Sequence, residues 1–227
     1  MKLLLLSFLS IFLLFITFQS FSQIKPDYTK ENVPEKNNLL KVASAVSEPS
    51  VLPLIRPVIA GNAKQSQNIT ISYDWSMIST YLIPSNPSTE AVFSPVISSL
   101  IIVKDDNGGV YWPAVSFNNM ASLAIGEGYL VKMTASATLS VTGTAVVPEL
   151  TPITIPYGHG IFGYLRQSPM PLSTLYSQFS PYTIMLVNSA GAVWWPQFQL
   201  DNIDNLNPGE GYRIFTNSAF TLTYPAN

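Results

Sequence analysis

Two stretches decide the fold: residues 109–129, GVYWPAVSFNNMASLAIGEGY, and residues 192–212, AVWWPQFQLDNIDNLNPGEGY. Setting Trp112 on Trp195 fixes an offset of 83 residues (195 − 112). The same offset superposes Pro113 on Pro196, Asn119 on Asn202, Leu123 on Leu206, and Gly126, Glu127, Gly128 and Tyr129 on Gly209, Glu210, Gly211 and Tyr212. Aromatic, proline and glycine positions repeated in this way read as one supersecondary unit used twice, a tandem duplication.

Just before each stretch, residues 100–104 and 183–187 are near-continuous apolar runs, as expected of strands buried on both faces. Each run meets a turn, Asp105-Asp106-Asn107-Gly108-Gly109 or Asn188-Ser189-Ala190-Gly191, and enters the aromatic strand as a hairpin. Beyond it lie a loop or single helical turn (117–125 and 200–208) and the Gly-Glu-Gly-Tyr corner. Two closing strands follow in each copy, 129–133 with 138–141 and 212–215 with 220–224.

Further upstream, Ser88 reads as an N-cap with Glu90 in the first turn. Val92, Phe93, Val96, Ile97 and Leu100 recur at helical spacing, echoed by Leu175, Tyr176 and Phe179. Pro95 costs a helix interior about 3 kcal/mol, so two turns are expected rather than four. Residues 69–73 and 77–83 read as strands around an Asp74-Trp75 turn. Here the repeat slips: 70–73 matches 154–157 at an offset of 84, whereas Ile78 matches Ile161 at 83, placing the missing residue in the turn.

The expected organisation is a signal peptide (1–22), a linker (23–67), a first module (68–143), a connector (144–152) and a second module (153–227). The expected fold is α+β and β-rich: two tandem similar modules of short antiparallel strands with one short helix each. Residues 50–60, apolar but broken by Pro53 and Pro57, are expected to lie extended along the first module's edge.

Lys2, the apolar run 3–18 and the small-residue site around Ser20 and Ser22 have the layout of a secretory signal peptide cleaved after about Ser22, which leaves no membrane span; a transmembrane anchor is the alternative reading. The chain has no cysteine, which removes disulfides, thiol nucleophiles and thiolate metal sites together. With 11 basic and 13 acidic residues, neither sign clusters along the chain enough to steer it toward nucleic acid, an anionic membrane or another polyanion.

No catalytic signature is present. The Gly126-Glu127-Gly128-Tyr129 corner lacks the third glycine and following helix of a phosphate loop, and reads as glycines supplying positive φ at a tight strand entry. Residues 105–108 lack the spacing and terminal Glu of a calcium loop and read as a turn. His159, the single histidine, has no partner for a metal site or a triad and reads as an exposed turn residue. No cofactor or metal is implied.

Glu127 and Glu210 are the acidic residues shared by both copies. They either tie the corner to backbone N–H groups or face a ligand. In the aromatic strand, alternation puts Val110 and Trp112 on one face and Tyr111 on the other, with Val193 and Trp195 opposed to Trp194. The shared Val/Trp pair reads as core. Tyr111 and Trp194 would then point outward as candidate ligand-binding aromatics, unless a helix or the sister module covers them.

These residues resemble tandem modules of large secreted and surface proteins of Bacteroidota. Such modules combine a Gly-Trp-Asn turn, an Ile-Ser-Tyr strand, a short helix, a Val-Lys-Asp strand, a Trp-Pro segment and a Gly-x-Gly-Tyr corner. The matching residues run from 68 to 227 and include 75–81, 103–105, Trp112-Pro113 and 126–129, with Ser168-Pro169-Met170 and 222–227 in the second copy. Ser76 and His159 depart from the pattern, and no type IX sorting domain follows Asn227. The resemblance implies a secreted or cell-surface location and brings no activity. The expected role is that of a non-enzymatic surface or matrix module for adhesion, spacing or binding, with a glycan or a surface protein as partner. Two rivals are a carbohydrate-binding module using Tyr111 and Trp194 and a glycoside-type hydrolase using Glu127 or Glu210.

Overall fold

A computed structural model describes residues 59–227 of the chain, with the side chains at 59, 60 and 62 left aside. The expected signal peptide and most of the expected linker lie outside the described residues. Two strand systems of matching order fill the rest. In the first, β2 (Asp74–Ile78), β4 (Leu100–Lys104), β5 (Val110–Trp112), β6 (Phe117–Asn118) and β7 (Tyr129–Met133) form an antiparallel sheet in the order β2-β7-β4-β5-β6. In the second, β10 (Gly158–Gly163), β12 (Thr183–Val187), β13 (Val193–Trp195), β14 (Leu200–Asp201) and β16 (Gly211–Thr216) form β10-β16-β12-β13-β14, also antiparallel.

A ribbon accompanies each sheet. β1 (Ile59–Ile71) runs antiparallel to β8 (Ala137–Val146), whose other side takes β3 (Leu82–Pro84); β9 (Ile153–Ile155) pairs with β17 (Phe220–Leu222). β1 therefore starts upstream of the expected boundary at 68, and Ile59 pairs with Val146, which makes the end of the expected edge segment a strand. Residues 61–68 look like linker because they are polar. They are held by the backbone ladder and by Gln67, a buried amide whose oxygen accepts from Thr80 Oγ1 (2.8 Å) and Tyr81 N (3.3 Å). At the other end β8 runs into the expected connector, which continues as a 3₁₀ turn at Pro148–Leu150.

The expected closing strands do not pair with each other. β7 belongs to the five-stranded sheet and β8 to the ribbon. Alternation within β7 buries Tyr129, Val131 and Met133 against Ile71 and Leu139 of the ribbon. Between them sits the short helix α1 (Thr89–Phe93), capped by Ser88 Oγ, which accepts from Ala91 N (3.3 Å). At Pro95 it tightens into a 3₁₀ turn, Ser94–Val96. Val92, Phe93 and Val96 face the core, but the three-residue turn rotates Ile97 outward, 43% exposed, contrary to the helical stripe. In the second half a 3₁₀ turn, Leu172–Leu175, comes first and α2 (Tyr176–Phe179) follows, again burying Leu175 and Phe179.

The expected two-sided burial of β4 and β12 is also corrected. Each carries a bulge, between Leu100 and Ile102 and between Thr183 and Met185. The bulges leave Ile101 half-buried and Ile184 exposed. The slip in the repeat likewise moves. Ile78 pairs with Tyr129 as Phe162 pairs with Tyr212, so the offset remains 84 (162 − 78) throughout β2 and β10. It falls to 83 (171 − 88) where Ser88 bridges Ser122 as Pro171 pairs with Asn205. The preceding turn is the same in both copies, with Asp74 (φ 67°) and Gly158 (φ 95°) each left-handed. Among the described residues no helix is long and apolar enough to cross a membrane.

Candidate functional site

The Gly-Glu-Gly-Tyr corners meet the opposite half. Glu127 bridges Phe162 of β10, and Glu210 bridges Ile78 of β2. Gly128 N donates to Ile161 O (2.8 Å) and Gly163 N to Gly126 O (2.8 Å). Across the other joint Ser79 N donates to Gly209 O (2.9 Å) and Ser79 Oγ to Glu210 O (2.5 Å). The glycines divide the work. Gly126 (φ 88°) and Gly209 (φ 92°) supply the positive φ expected of the corner. Gly128 and Gly211 do not; a Cβ there would sit 3.0 Å from Phe162 O and 2.8 Å from Ile78 O, so they permit the close crossing.

The hairpin turns complete the joint. Asp105 Oδ1 accepts from Asn107 N (2.9 Å) and Gly109 N (2.6 Å), and Asn188 Oδ1 from Ala190 N (3.0 Å) and Ala192 N (2.9 Å), so both are side-chain-stabilised turns. The next residue reaches across. Asp106 Oδ2 accepts from Ile161 N (2.7 Å), while Ser189 Oγ accepts from Met77 N (2.5 Å) and donates to Met77 O (3.1 Å).

Two clefts flank these crossings, of about 300 Å³ beside Glu127 and about 380 Å³ beside Glu210, with no lining residue in common. Each carboxylate is engaged by its own corner tyrosine instead of by backbone N–H groups. Tyr129 Oη donates to Glu127 Oε2 (3.4 Å) and accepts from Ala124 N (2.6 Å). Tyr212 Oη donates to Glu210 Oε2 and accepts from Asn207 N (2.8 Å), and Asn207 Nδ2 also donates to Glu210 (3.2 Å). Burial, then the charged neighbours, raises both tyrosine pKa values.

Burial, followed by repulsion from Asp106 and Asp105, also raises the Glu127 carboxyl above its ordinary value of 4.5. A carboxyl whose folded pKa is raised holds its proton better in the folded state, so its contribution to stability is present below the unfolded pKa and lost as pH rises through the folded one. Glu127→Gln, which keeps an acceptor for Tyr129, is expected to melt higher than the parent at neutral pH. That advantage should vanish below about pH 4.5. Thermal melts of both proteins from pH 3 to 8 check the sign, and a parent that gains stability relative to the variant as pH rises would contradict it.

The aromatic strands are oriented opposite to expectation. Tyr111 (8% exposed) and Trp194 (4%) face the core, and Trp112 (42%) faces out. The partner strand decides this. Tyr111 stands opposite Val103 and Trp194 opposite Leu186, both fully buried, and directly opposed residues share a face. Exposed apolar side chains cluster in and beside the 3₁₀ turns that follow, Pro113–Val115 and Pro196–Phe198: Trp112, Val115 and Phe117, and, in the second half, Phe198 and Leu200 beside half-buried Trp195. Each turn closes on a left-handed residue, Ser116 or Gln199. His159 is exposed, as expected. The sequence reading missed Trp75 as a surface feature. It is 40% exposed, with Lys132 Nζ 5.3 Å and Lys104 Nζ 5.7 Å from its ring centre.

Comparison of the chain with protein-family models, with curated proteins and with solved structures gave no match.

Proposed function

We propose that the protein is a secreted, non-enzymatic surface or matrix module, built by tandem duplication, that works by binding through its outer edges. One observation carries this reading. The strands at the far end of each sheet from the joint, β5–β6 and β13–β14, and the turns between them present apolar side chains at the same three repeat positions, one unchanged (Trp112/Trp195) and two with different residues (Val115/Phe198 and Phe117/Leu200). Exposed positions that stay apolar while their identity drifts gain nothing from the core, which favours a contact surface present twice. The exposed Trp112 ring favours a glycan as the second reading for the partner, since a flat aromatic stacks on the C–H face of a sugar.

The test is retention of the purified chain on a panel of immobilised matrix proteins and insoluble polysaccharides. The Trp112→Ala/Phe198→Ala variant should lose about tenfold or more in retention, with an unchanged melting temperature. Full retention by a folded variant would move the binding surface away from these edges. Polysaccharide and protein arms separate the two partner classes.

A further inference from the structure

The outward faces of β2 and β7 meet those of β12 and β16 in an open trough of about 320 Å³. Its lining combines apolar side chains, Met77 and Leu130 from one sheet and Met185, Val187 and Phe215 from the other, with the polar Ser76, Asn188 and Ser189. Trp75 and Arg213 also line it, one from each sheet. Lys132 and Lys104 stand over the Trp75 ring, and Lys132 also pairs with Asp74 (3.4 Å). Lys104 and Arg213 have no carboxylate partner among the described residues.

The charge distribution is the informative part. Residues 59–227 contain five cations, Lys64, Lys104, Lys132, Arg166 and Arg213; Arg213 lines the trough, and Lys104 and Lys132 stand over the ring of Trp75, which also lines it, in a protein of net charge −2. Along the chain these three are dispersed between 104 and 213, so the gathering exists only in the fold and overrides the expectation drawn from the linear charge pattern. A flat, partly exposed indole with two ammonium groups over its ring, in a groove that also holds apolar side chains and a guanidinium, suits a ligand that joins an apolar flat face to an anion on the same ring.

We infer that the trough binds an acidic polysaccharide, with a uronate ring stacked on Trp75 and its carboxylate held by Lys104, Lys132 and Arg213. A uronate bears its carboxylate directly on the pyranose ring, so the stacking face and the charge lie within a few ångströms of each other, the same span that separates the Trp75 ring from the two ammonium groups. An acidic peptide offers the charge without a flat ring, and a neutral glycan offers the ring without the charge. The site is separate from the Trp112 and Phe198 edges and does not depend on them.

Affinity electrophoresis of the full chain through gels containing polygalacturonate, a neutral galactan or polyglutamate tests this. Retardation should appear with polygalacturonate alone and weaken with added salt, because exposed charges are screened. The Lys104→Gln/Arg213→Gln variant, which changes only surface charge, should lose about tenfold in apparent affinity. Trp75→Ala should lose as much and Trp75→Phe should recover most of it, which separates stacking from simple charge. The inference is overturned if the folded parent migrates freely through polygalacturonate, if polyglutamate or the galactan retards it equally, or if Trp75→Ala, shown folded by its melting curve, is retarded like the parent.

Discussion

Trp194→Ala is expected to cost the fold about 3–5 kcal/mol, whereas Trp112→Ala, one repeat position away in register, should stay within about 0.5 kcal/mol of the parent. Trp194 is 4% exposed, stacks on Tyr176 (5.0 Å between ring centres, 12° between planes) and lies 6.0 Å from Phe179. Truncation would remove the indole from the middle of this cluster and leave a cavity that strand and helix cannot both close. For a chain of this size each kcal/mol moves the melting temperature by about 2–4 °C, so a drop of roughly 6–20 °C is expected for Trp194→Ala. The pair of melting curves tests the direction in which the aromatic hairpin faces: equal losses in the two variants, or a larger loss at Trp112, would mean that the hairpin is turned the other way.

Gly143→Ala should be nearly as damaging, for a different reason. A Cβ at this position would lie 2.0 Å from Ile83 O and 2.7 Å from Ile83 C. The obstacle is backbone, with no flexible side chain to yield. β8 is the central strand of its sheet, paired with β1 on one side and β3 on the other, so it cannot move away from β3 without distorting the β1 ladder. Overpacking of this kind costs about 3 kcal/mol or more. Gly158→Ala is the matched comparison, because nothing lies within 4 Å of its Cβ position and only its φ of 95° opposes a side chain. It should cost about 1–2 kcal/mol. Urea titration of the two variants, with equal slopes and separated midpoints, would confirm the order; a Gly143→Ala midpoint at or above that of Gly158→Ala would contradict the close approach of β3 to β8.

Local chemistry was readable from the sequence, and long-range pairing was not. Ser88 caps its helix, Pro95 limits it, Asp105 and Asn188 close their turns, and the corner glycines mark the strand entries, because each effect is confined to a few consecutive residues. The antiparallel, β-rich character followed from the same signals. Two features depended on distant partners. Residues 61–68 form a strand because β8 lies beside them, and nothing in their polar composition announces it. The hairpin's facing depends on Val103 and Leu186 across the ladder, whereas the identity of Trp112 with Trp195 suggested shared burial where there is shared exposure at one and partial exposure at the other. Glu127 and Glu210 recur for the sake of the corner tyrosines, an interaction two residues long that the shared Glu-Gly-Tyr already spelled out.

At the joint, what residue 78 does to residue 210, residue 162 does to residue 127, and the turns at 106 and 189 answer each other in the same way. A contact of this form between two separate, identical chains obliges every residue to suit its own copy. Joining the partners in one polypeptide lifts that obligation, because each side then has to suit only its counterpart, and the tether keeps the two together at high effective concentration. On the proposed duplication the equivalent positions have diverged: Asp106 corresponds to Ser189, Trp75 to His159, Lys104 to Val187, Lys132 to Phe215 and Leu130 to Arg213. A pair of identical subunits would have to display every surface groove twice or not at all. This chain can keep one indole with its two lysines on one side and bring an arginine from the other, so that the groove where the two sheets meet need not be matched by a second one.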